Sequence, residues 1–158
     1  MSYMEDFQKV LMEIILFVQD LTAVEQEKFD AATHNNILVI EECIKKEQAL
    51  LLRSKGLEQK REQLLKAMGA EKMTLRQLMD SVSAMEKSQL TPICQQLDTH
   101  LAEYQKVYKK TKTVIEANLH RIDAGLESLT GKPLENTVAY SDHGEKITNK
   151  KGFTSRRV

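Results

Sequence analysis

The sequence predicts an all-α fold: an antiparallel bundle of three long helices plus a short connecting helix, with an irregular C-terminal tail. Three observations carry this. Only two Pro and six Gly occur in 158 residues, and helix formers such as Leu, Lys, Glu, Gln, Ala and Met are abundant. Apolar residues recur at alternating three- and four-residue intervals over three long stretches, the spacing of one helical face. Capping residues, rather than strand-like alternation, separate those stretches. At 41% apolar content, one domain of this length can bury a sizeable core.

The first helix is expected from Tyr3 to about Ala32, with a stripe of Met4, Phe7, Leu11, Ile14, Val18 and Leu21 that Ile15 and Val24 widen. Thr33-His34-Asn35-Asn36 interrupts it and supplies a cap for the next helix. The second helix runs from Asn36 to Met68, with Ile40, Cys43, Leu50, Leu57, Leu64 and Met68 on its seam and Ile37, Ile44 and Leu51 alongside. Glu47, Ser54 and Arg61 recur every seven residues at seam positions, where polar groups fix register or oligomeric state. Gly69 closes this helix. Met73–Met79 reads as the short connector, with Thr74 as its cap.

The third long helix is expected from Thr91-Pro92, a capping hydroxyl followed by the residue best tolerated in a first turn. It ends at Gly131-Lys132-Pro133, after about 60 Å. Its seam reads Leu97, Leu101, Tyr104, Tyr108, Thr111, Ile115, Asn118, Ile122 and Leu129, with Leu119 and Leu126 flanking. Tyr104 and Tyr108 are read as core. Met4, Met68, Met73, Met79 and Met85 are read as gap-fillers, with Met73, Met79 and Met85 the candidates for exposure.

Residues 1–131 therefore form the bundle and 132–158 a flexible partner-binding tail. The tail matches neither helical nor strand periodicity, and its six large apolar residues are too few to offset the ordering of its backbone. Six basic against three acidic residues give it a net charge of +3, leaving −3 on the remainder. The whole chain balances 23 basic against 23 acidic residues, which argues against nucleic acid or an anionic membrane as chief partner.

Cys43 and Cys94 stand alone, as reduced buried thiols of a cytosolic protein do. The N-terminus lacks the basic region of a signal peptide, and the apolar stretch Val10–Val18 is too short to span a bilayer. Both features predict a cytoplasmic protein with no membrane insertion. Glu116, His120 and Asp123 share a helical face, but no Glu-x-x-His element of a di-iron bundle occurs. No phosphate-cradling glycine loop and no nucleophile context are present. The expectation is a protein that is not an enzyme and has no cofactor.

Several of these stretches resemble the FlgN-type flagellar export chaperones. In the second helix the resemblance lies in Lys46-x-x-x-Leu50 and Arg61-x-x-Leu64-Leu65-x-x-x-Gly69. In the tail it lies in Thr137-x-x-Tyr140-x-x-x-Gly144 and the basic end that follows. The family's Asn-x-x-Asn pair late in the last helix is represented by Asn118 alone, with Ile115 three residues before it. The resemblance implies a bacterial cytoplasmic chaperone that binds the terminal helices of hook-associated (hook–filament junction) proteins and keeps them export-competent. It further implies that the C-terminal segment captures the client, aided by the end of the last helix, with Leu134, Val138, Tyr140, Ile147 and Phe153 as the anchors. A spaced set of apolar anchors on a segment that folds on binding releases its client readily. The flagellar export apparatus is a further partner on this reading, and a homodimer is another. The competing expectation is a self-associating helical scaffold or coiled-coil interaction protein, built on the polar seam positions Glu47, Ser54 and Arg61.

Overall fold

The computed structural model describes residues 2–131 and the backbone of residues 137–140 and 146–149. The helices are α1 (Tyr3–Thr33), α2 (Ile37–Ala67), α3 (Leu75–Ser81) and α4 (Ala84–Thr130). Each boundary has a local cause. Ser2 caps α1 through a reciprocal pair with Glu5, and Thr74 caps α3 in the same way with Gln77. The Asn36 side chain accepts from the Val39 N–H at the start of α2. Both bends leave their helix through the same double hydrogen bond. After α1, Asn36 and Asn35 donate to Ala31 and Ala32; after α2, Ala70 and Gly69 donate to Leu65 and Lys66. The pivots are Asn35 at φ 54° and Gly69 at φ 71°.

The long last helix begins earlier than Thr91. Its cap is Ser83, whose hydroxyl accepts from the Glu86 N–H, and Pro92 lies inside it. The Thr91 hydroxyl does not cap; it donates back to the Lys87 carbonyl at 2.7 Å. Pro92 removes a single backbone donor on an exposed face, so the helix continues through it. With 47 residues, α4 extends about 70 Å.

The ion pairs give the directions of the helices. Glu13–Lys60, Asp20–Arg53 and Glu27–Lys46 join α1 to α2 with numbers running in opposite senses. Gln8–Gln89 and Gln19–His100 join α1 to α4 with numbers rising together. The bundle is thus up-down-up, with α2 antiparallel to both of its companions. α1 is the middle member: α2 and α4 each pack on it, and no Cα of α2 comes within 8 Å of one of α4.

The core occupies one half of this arrangement. Phe7, Leu11, Ile15 and Val18 of α1 pack with Leu65, Ala70, Leu78, Leu90, Cys94 and Leu97. Met73 and Met79, expected as candidates for exposure, pack against this core half-buried, and Met85 alone of the three is exposed. In the other half the seam turns polar. Glu25 is 2% exposed, and Lys28 Nζ lies 3.3 Å from its Oε2 and 2.6 Å from Glu47 Oε1. From α4, the Thr111 hydroxyl donates to Val107 at 3.0 Å and lies 3.4 Å from the Glu25 carbonyl.

The all-α class holds for the bundle. The tail, expected to be irregular, contains two short strands, β1 (Thr137–Tyr140) and β2 (Lys146–Asn149), paired antiparallel. Four residues each is too short for alternation to stand out in a sequence; the register comes from the pairing itself.

Candidate partner-binding site

The α4 seam runs on past the end of α1. Asn118 Nδ2 donates to the Ala32 carbonyl at 3.0 Å, almost the last residue of α1. Beyond that point Ile122, Leu126 and Leu129 continue the four- and three-residue spacing with no α1 residue left to cover them. They are 58%, 41% and 85% exposed. The expectation that Ile122 and Leu129 lie in the bundle seam, with Leu126 flanking it, is therefore corrected: the bundle ends before they begin. Leu101 is also partly exposed, and the buried positions on either side of it in α4 are Leu97 and Val107.

Gly131, in the left-handed conformation at φ 66°, ends this projecting segment. The tail follows, and β1 lies alongside α4. Of the expected anchors, Val138 and Tyr140 fall in β1, opposite Thr148 and Lys146, and Ile147 falls in β2, opposite Ala139. The fold thus draws three of the five into one two-stranded ribbon. Leu134 and Phe153 lie outside the described residues.

A second apolar feature lies between α2 and α4, where these helices stand apart. Phe7, Leu11 and Ile14 line its floor, Leu65 and Leu97 its walls, and it holds about 220 Å³. The Arg61–Glu58 pair borders it, with Arg61 Nε donating to Glu58 Oε2 at 3.0 Å. That hydrogen bond holds the Glu58 carboxyl below its ordinary value.

The three polar seam residues of α2 are satisfied within the chain. Glu47 pairs with Lys28, Arg61 with Glu58, and the Ser54 hydroxyl donates to the Leu51 carbonyl. Tyr104 and Tyr108 stack with ring centroids 6.0 Å apart and are half-buried rather than fully in the core. Burial, then the Glu25 and Glu47 charges, push the Tyr104 phenol up. Cys43 and Cys94 are free and buried, and burial raises both thiols. Among the described residues no group of His, Cys, Asp or Glu has a metal-holding arrangement, and no helix is long and apolar enough to cross a membrane.

A model of the family described as FlgN protein matches residues 1–147, the whole bundle together with β1. The chain belongs to the FlgN family. No curated protein and no solved structure matches it. FlgN proteins are chaperones of flagellar protein export rather than enzymes. For a chaperone, exposed apolar surface beyond a stable bundle is where a partner can be sought. On this FlgN family member that surface is the projecting end of α4, at the point where the tail departs.

Proposed function

We propose that this chain binds the terminal helices of hook-associated proteins in the bacterial cytoplasm and keeps them competent for export. Capture uses the α4 end and the tail together. The observation that carries the reading is the row Ile122, Leu126 and Leu129, a helical seam exposed beyond the end of its partner helix. A client helix laid along it extends the bundle's own packing pattern. The anchors Leu134, Val138, Tyr140, Ile147 and Phe153 then close over the client from the tail.

The test is co-purification with a hook-associated client, using two variants. One is the chain truncated after Gly131; the other is full-length Ile122→Ser/Leu126→Ser/Leu129→Ser. Each is expected to lose the client while keeping its helical circular dichroism. Undiminished capture by the truncated chain would remove the tail from the site, and undiminished capture by the triple variant would remove the α4 end.

Self-association is a second reading, carried by Ile37, Leu38, Leu51 and Leu52, which are exposed on α2. Light scattering over a range of concentrations tests it. A tight dimer at every concentration supports it, and a monomer rules it out.

A further inference from the structure

The polar junction of the bundle contains an imbalance that packing alone does not explain. Two carboxyl groups, Glu25 of α1 and Glu47 of α2, converge on one ammonium, Lys28. Both carboxyls reach the same Nζ, Glu25 Oε2 at 3.3 Å and Glu47 Oε1 at 2.6 Å, so two acids crowd one cation. The Glu25 carboxyl is buried, and its Oε1 has no hydrogen-bond partner. From α4, the Tyr104 phenol and the Thr111 hydroxyl face the same junction, and neither brings a charge. From α2, Cys43 borders it on the Glu47 and Lys28 side, its buried thiol also uncharged. With both carboxyls ionised the junction is left with one uncompensated negative charge, and removing such a charge from water is expensive.

We propose that Glu25, Lys28 and Glu47 form a proton-controlled clasp. With Glu25 protonated, the clasp closes the junction of α1, α2 and α4. With both carboxyls ionised, it loosens the half of the bundle that bears the tail. The placement supports this division. The apolar cluster of Phe7, Leu11, Ile15, Val18, Leu65, Leu90 and Leu97 holds the opposite half, so it stays packed when the clasp opens.

Desolvation of the buried carboxyl is the main cause that raises Glu25 from 4.5 to about 7; the Glu47 hydrogen bond and charge add to it, and the Lys28 charge opposes it. Burial alone would lower the Lys28 ammonium, but the Glu47 hydrogen bond and the Glu25 charge outweigh it and leave the ammonium raised, so it stays protonated throughout. An acid with a higher pKa in the folded state binds its proton more tightly there. Its stabilising contribution is complete below 4.5 and is lost as the pH rises to about 7.

Urea unfolding of the full chain and of Glu25→Gln, from pH 5 to pH 8, tests the proposal. The amide keeps the shape but has no proton to lose. The ratio of the two unfolding constants is expected to change about tenfold per pH unit between roughly pH 5 and 7, with the wild type losing stability, and to level off above that. A purely register-fixing role predicts the same ratio at every pH, and parallel profiles would overturn the clasp. Should Glu25→Gln fail to fold, the carboxyl carbon-13 shift of Glu25 in the wild type decides the matter. A midpoint of about 6 or higher supports the proposal, and a lower one overturns it. Hydrogen exchange corrected for intrinsic pH dependence tests the location of the opening. Protection over residues 25–33 and 37–50 is expected to fall between pH 6 and 8 while that of residues 7–18 holds. A uniform change, or none, refutes local opening.

Discussion

The Asn118 carboxamide donates to the Ala32 carbonyl across 3.0 Å, so α4 ties down the last turn of α1 where α1 stops. The same carbonyl receives the Asn35 N–H at 3.3 Å, which places one side chain and one turn on a single acceptor. Asn118→Ala removes the side-chain half. The expected loss is about 1 kcal/mol, seen as a melting temperature lower by roughly 2–4 °C. An unchanged melting curve would show that solvent replaces the bond without loss.

Two kinds of glycine should respond oppositely to alanine. Gly56 and Gly125 lie inside helices with open space where a Cβ would go. Gly56→Ala and Gly125→Ala should each stabilise by about 0.5–1 kcal/mol in urea unfolding. Gly69 also has open space, but its φ of 71° belongs to the left-handed region. Gly69→Ala should destabilise by about 1–2 kcal/mol through backbone strain alone.

Burial separates two leucines of α4. Leu90 is fully buried among the core residues, and Leu129 is 85% exposed. Leu90→Ala should cost about 2–5 kcal/mol, while Leu129→Ala should stay within about 0.5 kcal/mol. Chemical denaturation of both variants checks this, and equal effects would contradict the assigned end of the bundle.

The thiols give a reagent-based check. Cys43 is completely buried and Cys94 is 8% exposed, and burial raises the pKa of each. At pH 6, with the clasp closed, native protein should react slowly with an aromatic disulfide reagent, Cys94 before Cys43, and urea should make both react faster. Fast native labelling of Cys43 would mean that the polar half of the bundle opens readily.

Much of this was legible in the sequence because caps are local. Ser2 with Glu5, Asn36, Gly69, and Thr74 with Gln77 act within a few residues of themselves, so α1, α2 and α3 could be bounded by inspection. The start of α4 was not, because Thr91-Pro92 has the composition of a helix start while its geometry depends on the residues before it. Ser83 with Glu86 caps first, and Thr91 then spends its hydroxyl on the preceding turn. Ile122 and Leu129 were assigned to the seam correctly by spacing and wrongly by burial, since periodicity does not reveal where the neighbouring helix ends. The junction at Glu25 carries a signal in the sequence. Continuing the α1 alternation past Leu21 lands on Glu25 and then Lys28, opposite the seam position of Glu47. Which anchors of the tail meet a client could not be read from either level, because that depends on a partner's surface.

The parallel course of α1 and α4 has a practical corollary. The start of α1 lies beside the start of α4, so Ser2 and Gly131 stand at opposite ends of the rod, on the order of 65 Å apart. A fluorophore or surface anchor attached ahead of Ser2 therefore leaves Gly131, where the tail departs, at the end far from its support. Immobilised by that handle, the molecule presents its tail-bearing end to solution, and tip-to-tip energy transfer should be weak in the isolated chain.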